Sequence, residues 1–344
     1  MNTSRGRIWT GVVRVAPYDR DHTVAIRAAI SVGVPLLVLW SIGRLDLSIY
    51  ASFGAFAALY GRTDAIGDRV RMQVAAGAVM VTAMLIGTAV SASGLPALGA
   101  IAVVAAVASA ATLLAYATQW HPPSALFVVF SAGATASIPA DTSRFGDVLI
   151  VGLAAVVFSV LVTLASETVS QRGLPSLPRT KNRLSVGTVA TEMAVTVAVA
   201  TLLAGAAGYL LLDSHWYWAM VGAVAAVSGP HVKARVIRGL QRLIGTVIGV
   251  LVAAGILSLG LPPLAVILTA VALQAGAELF VGRNYAIAMI FITPLALLMV
   301  QLAAPTTVTV LLTDRLAETL IGIVVGTVVA LASALVRRRI RRQP

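Results

Sequence analysis

Apolar residues run along this chain in long stretches, separated by short clusters of Gly, Pro, Asp and Arg. A helix that crosses a bilayer needs about 20 predominantly apolar residues, and Gly, Pro and charged clusters punctuate helices. The pattern predicts helices over residues 23–42, 48–61, 73–93, 97–120, 125–140 and 148–166. A second set follows over 186–212, 216–230, 243–260, 264–282, 286–303 and 316–336. The fold class is therefore an all-α integral membrane protein with about twelve transmembrane helices.

The first six segments and the last six read as two similar halves. Asp46-Leu47-Ser48-Ile49-Tyr50 opens the second segment, and Asp213 to Tyr217 opens the eighth. Gly94-Leu95-Pro96 closes the third, Gly260-Leu261-Pro262 the ninth, and Asp147 and Asp314 precede the sixth and twelfth. Two parallel six-helix repeats are expected: a cytoplasmic tail over 1–22, repeat one over 23–166, a cytoplasmic linker over 167–185, repeat two over 186–336, and a basic cytoplasmic tail over 337–344. An even number of helices brings both repeats in from the same side, related by a pseudo-two-fold axis along the membrane normal.

Composition narrows the function. Hydrophobic residues make up 59% of the chain and Asp, Glu, Lys and Arg 11%, against about 25% charged residues in a soluble domain. Soluble and disordered classes are excluded. With no cysteine, disulfides, thiolate metal sites and cysteine nucleophiles are excluded too. The four histidines lack metal-ligand spacing, and no P-loop, GxSxG or GxGxxG is present. No enzyme, metal or cofactor is expected.

The net charge of +12 would point to nucleic acid in a soluble protein. Here it orients helices. With the N-terminus inside, 21 of the 25 Lys and Arg residues fall on the inner side, Arg44, Arg144 and Arg315 fall outside, and Arg27 lies within the first segment. That split obeys the positive-inside rule. The expected setting is the cell membrane, with both termini cytoplasmic, the lipid bilayer as partner and no nucleic acid; a homo-oligomer is left open.

The second, fifth, eighth and eleventh segments are short and occupy matching places in the two halves. Paired short or interrupted segments point to a transporter's substrate site; the plainer alternative is that such helices start deep and are buried by neighbours. Trp216-Tyr217-Trp218-Ala219, Pro230, Arg238 and the run from Arg242 through Gly245 to Gly249 resemble the core motif of the fusaric acid resistance family, within the aromatic acid exporter superfamily. Arg283-Asn284-Tyr285-Ala286 and Phe291-Ile292-Thr293-Pro294 are similar to it as well. The resemblance covers roughly residues 190–336 and is weaker in the first half, where Tyr50 stands in the place of Tyr217. It implies inner-membrane efflux of aromatic carboxylic acids or related organic anions, driven by the proton-motive force. A passive organic-anion channel and a non-transport membrane scaffold are the competing readings.

An aromatic carboxylate needs a cation for its charge and π faces for its ring. The candidate substrate-binding residues are Arg283, Asn284, Tyr285, Tyr217, Trp218, Tyr50 and Arg242. Positive-inside anchoring competes for Arg242, and an interfacial aromatic belt competes for the Trp residues. Ionisable side chains inside a membrane are functional candidates by default, which makes Glu278, Arg27 and Glu192 the candidate proton-coupling residues. Structural pairing competes here: Glu278 with Arg27 or Arg242, and Glu192 with Arg27. Glu318 is expected near the outer surface, in contact with solvent or Arg315. Gly245/Gly249 and Gly322/Gly326 are GxxxG patterns, for which helix packing is the default.

Overall fold

Each apolar segment forms a helix, in a computed structural model that describes residues 9–17, 21–62, 64–122, 125–169, 186–213, 215–229 and 232–340. Most of the 167–185 linker, parts of both expected tails, and Pro230 of the family-like motif lie outside the described residues. In chain order the helices are α1 (Asp21–Ser41), α2 (Ser48–Ala55, flanked by 3-10 turns), α3 (Ile66–Ala92), α4 (Ala97–Ala117), α5 (Leu126–Ser137) and α6 (Arg144–Val169). After the linker come α7 (Thr188–Leu212), α8 (Tyr217–Val227), α9 (Val232–Ser258), α10 (Pro263–Val281), α11 (Tyr285–Ala303) and α12 (Val308–Ile340).

Among the described residues nine helices are long and apolar enough to cross a membrane, and the stretches around α2, α5 and α8 are shorter apolar helices. The chain is a multi-pass membrane protein. At 19 residues α11 is one of the nine, so the eleventh segment is not short. Three helices also begin well before their hydropathy predicts, and α3 is the first of them, at Ile66 rather than 73. α9 starts at Val232 rather than 243 and α12 at Val308 rather than 316. Their leading turns carry Arg235, Arg238, Arg242, Asp314 and Arg315, which a hydropathy window reads as loop. The helices continue because these charged groups face protein rather than lipid.

The short helices explain themselves by burial. Every residue of α2 and of α8 is buried. A helix apolar on all sides needs neighbours on all sides, and one enclosed by protein need not match the bilayer thickness. Lipid-facing apolar side chains instead belong to long helices, such as Ile26 and Val38 on α1, Ile150 and Leu161 on α6, Leu203 on α7 and Val328 on α12. Within the first half α3 packs on α5 and α2 on α6; within the second α9 packs on α11 and α8 on α12. Across the seam α4 meets α7, α1 meets α10, α5 meets α8 and α2 meets α11.

The N-terminal segment 9–17 is tied to the α9 and α11 ends. Gln241 Nε2 donates to the Val12 carbonyl at 3.1 Å, and Asn284 Nδ2 donates to the carbonyls of Val12 and Arg14 at 2.9 and 3.1 Å. The Ala16 amide donates to the Arg283 carbonyl at 3.0 Å, and Arg283 Nε donates back to the Ala16 carbonyl at 3.1 Å.

Candidate functional site

Where the halves meet lies a cavity of about 140 Å³. The first half supplies an aromatic wall: Phe53 on α2, Phe56 in the turn that follows, and Phe127 and Phe130 on α5. The rings interlock, with Phe53 and Phe130 edge to face at 4.8 Å and Phe56 and Phe127 tilted at 5.1 Å. The second half supplies Trp218, Arg238, Arg242, Gln274, Glu278, Tyr285 and Arg315.

The cations gather in two groups. Arg238 and Arg242 sit one turn apart on α9, hence on one face. Arg242 Nη1 donates to the Tyr285 hydroxyl at 2.8 Å, and the Arg238 guanidinium lies 4.3 Å above the centre of the same ring. Arg315, on α12, lies 4.0 Å above the Trp218 ring. Trp218 in turn sits 4.6 Å from Phe130, which joins the cation-bearing wall to the aromatic one.

Among the described residues no carboxylate pairs with Arg238, Arg242 or Arg315. Nε of all three, Nη1 of Arg315 and Nε1 of Trp218 are buried with no hydrogen-bond partner. A charge at the membrane centre costs about 2.5–3.5 kcal/mol on insertion scales, and removing buried charge from water is repaid only by counter-charge and hydrogen bonds. Such a lining can chemically accommodate negative charge.

Of the candidates named from the sequence, Arg242, Tyr285, Trp218 and Glu278 line the cavity. Tyr217 and Tyr50 do not. Tyr217 is buried behind Trp218, stacked 6.0 Å from Phe130, and Tyr50 is equally enclosed. Arg283 and Asn284 do not line it either. Arg283 reaches the N-terminal segment, and Asn284 caps α11 through Oδ1, which accepts from the amides of Ala286 and Ile287.

Glu278 pairs with Arg62 of the first half at 3.2 Å, and Arg62 Nη2 also donates to the Glu278 carbonyl at 2.9 Å. Its salt bridge is thus to Arg62, where Arg27 or Arg242 was expected. Arg27 is buried, with Nη2 3.5 Å from the Ala58 carbonyl. The expected Glu192–Arg27 pair does not form: Glu192 is paired with Arg337 at 3.3 Å on an exposed face. Helix geometry explains this, since Glu192 sits on the outward side of α7.

Two expectations at the outer end are corrected. Arg315 is 1% exposed and Glu318 0%, so neither is a surface residue. Because α12 begins at Val308, both lie well inside it. Glu318 accepts from the Ala219 amide at 3.2 Å, meeting one of the unpaired N–H groups at the start of α8. At the rim, His215 Nδ1 meets Asp314 at 2.8 Å. In the first half Asp46 accepts from Arg44 and Arg144 at 3.1 and 2.6 Å. Burial pushes the Asp46 carboxyl up, but the hydrogen bonds and charges of these arginines outweigh it and hold the group below its ordinary range.

Sequence reasoning missed Arg238 and Arg315 as cavity residues, and the phenylalanine wall. The spacing of Arg238 and Arg242 signals a shared helical face; Arg315 carried no local signal once its turn was read as loop.

Residues 185–329 match the family model described as fusaric acid resistance protein-like. All the charged residues of the cavity lie within that stretch. No curated protein matches the chain, and no solved structure does.

Proposed function

We propose, for a chain whose residues 185–329 belong to the fusaric acid resistance protein-like family, a secondary transporter of the cell membrane that exports aromatic carboxylic acids or related organic anions. The family is one of transporters. The observation that carries the reading is the set of guanidinium groups, those of Arg242 and Arg315 buried, with no carboxylate partner among the described residues, in an aromatic-walled cavity between the halves. Arginine presents a fork that fits a carboxylate, and ring edges and faces receive an aromatic body. A scaffold protein needs no such cavity.

The cavity is placed for alternating access. It lies between helices of both halves, and the Arg62–Glu278 pair closes one side across the seam. Substrate enters from the cytoplasm, meets Arg242, Tyr285 and Trp218, and leaves outward once the halves rock apart. An interior-negative potential drives a monoanion outward by about 2.3 kcal/mol per 100 mV. Coupling to protons is assigned to Glu278, the acid in the cavity lining; Arg27 and Glu192 stand away from the cavity.

The twelve helices form two parallel repeats in this reading. Several recurrences support it. Arg69 Nε donates to the Gly61 carbonyl after the α2 stretch and Arg235 Nε to the Gly229 carbonyl after α8, each at 3.0 Å. Gly54 of α2 faces Gly152 of α6, and Gly222 of α8 faces Gly322 of α12. The helix pairings within each half recur in the other. Both termini are cytoplasmic in this reading, which the distribution of Lys and Arg supports.

The test is flux of labelled benzoate in proteoliposomes under an imposed potential or pH gradient. The expected result is saturable transport that Arg242→Gln reduces at least about ten-fold. Absence of flux under both gradients refutes transport. Continued flux at held potential after the pH gradient is collapsed identifies a channel instead.

A further inference from the structure

We infer that the ligand of this cavity carries two acidic groups held apart by an aromatic or apolar body. The inference rests on the transport reading above and narrows its substrate class from organic anions in general to dianions of this shape.

Charge is the first argument. Glu278 is the acidic residue of the cavity lining, and Arg62 already holds it at 3.2 Å. Arg238, Arg242 and Arg315 remain without carboxylate partners among the described residues. A monocarboxylate answers one of these three cations and leaves two without counter-charge. A dianion leaves one, and Coulomb repulsion between buried like charges is strong in a low-dielectric interior.

Placement is the second. The cations come from two helices and engage two different rings. Arg238 and Arg242 converge on Tyr285, one over its ring and one on its hydroxyl. Arg315 stands on a different helix, over Trp218. Each group keeps buried donors without partners: Nε of Arg238 and Arg242 in one, Nε and Nη1 of Arg315 with Trp218 Nε1 in the other. The surface that adjoins them is apolar, with Phe53 and Phe130 in edge-to-face contact.

Size is the third. Cavities of about 150 Å³ with apolar linings hold a benzene ring, and this one measures about 140 Å³. That volume suits a single aromatic ring as the body of the ligand.

Calorimetric titration of the purified full-length protein at neutral pH, with benzoate, terephthalate and sulfate as probes, tests this. Terephthalate is expected to bind at least about ten-fold more tightly than either of the others, and Arg315→Gln is expected to bring the terephthalate-to-benzoate ratio toward one. Equal affinity for benzoate and terephthalate overturns the inference and leaves the transport reading standing. Sulfate binding as tightly as terephthalate overturns the requirement for an apolar body. An unchanged ratio in Arg315→Gln, with both affinities lowered alike, overturns the assignment of the second acid to Arg315. The wild-type ratio decides the first question even where the variant does not fold. Failure of every probe to bind counts against the transport reading itself.

Discussion

Arg242 donates a 2.8 Å hydrogen bond to the hydroxyl of Tyr285, joining the buried face of α9 to the first residue of α11. Among the described residues neither side chain meets an acid there. The residues beside them, Gln241 and Asn284, hold the N-terminal segment instead. One face of this junction addresses the cavity and the adjoining face secures the chain's own N-terminal stretch.

Arg315→Met removes a buried cation that has an aromatic ring but, among the described residues, no carboxylate as its partner. Deleting such a charge relieves a desolvation cost, so the ligand-free protein in detergent is expected to gain stability on the order of 1–3 kcal/mol. Substrate flux is expected to fall sharply. A lowered unfolding midpoint in the ligand-free variant indicates that Arg315 serves structure instead.

Asn284 has two separable duties. Asn284→Ala loses both the α11 cap and the bonds to Val12 and Arg14, at a cost of about 1–2 kcal/mol from the cap alone. Asn284→Asp keeps the acceptor for Ala286 and Ile287 but lacks the donor. Both variants are expected to expose the N-terminal segment to limited proteolysis, while only the alanine variant lowers the unfolding midpoint by the cap's contribution. Equal protection of the segment in wild type and Asn284→Asp refutes the tie.

Glu278→Gln removes one charge from the seam pair with Arg62. The pH dependence of flux is expected to disappear if the proton travels on this carboxylate, and a pH profile identical to wild type removes Glu278 from coupling. A double-mutant cycle with Arg62→Gln is expected to give an interaction energy of about 0.5–3 kcal/mol.

Asp46 governs acid sensitivity at the rim. Its carboxyl is held below the ordinary range by Arg44 and Arg144. A depressed folded-state value stabilises the fold above the unfolded-state pKa, and that contribution is lost as pH falls through the folded value. Thermal midpoints are therefore expected to drop as the medium is acidified below about pH 4. Asp46→Asn is expected to have a lower midpoint at neutral pH and a shallower acid decline. Parallel declines in the two proteins refute the assignment.

The helices were legible because lipid demands long apolar runs, and α1, α4 and α7 start within two residues of their expected positions. The starts of α9 and α12 were not. A hydropathy window treats Arg238 and Arg315 as loop, but Tyr285 and Trp218 receive them inside the fold. Trp218 lines the cavity where its neighbour Tyr217 does not, because adjacent helical residues point about 100° apart and no composition rule chooses between them. The Asn284 bonds to Val12 and Arg14 join residues 272 and 270 positions apart, a distance over which local spacing carries no information.

The carboxylate of Glu318 on the Ala219 amide, together with the close approach of Gly222 and Gly322, makes α8 and α12 a single block. Trp218 and Arg315 ride on that block, so their mutual spacing survives any rearrangement of the seam. Conformational work is then concentrated elsewhere, where Arg62 reaches Glu278 across the halves. In the transport reading proposed above, this block is the fixed anvil and the Arg62–Glu278 edge the moving jaw.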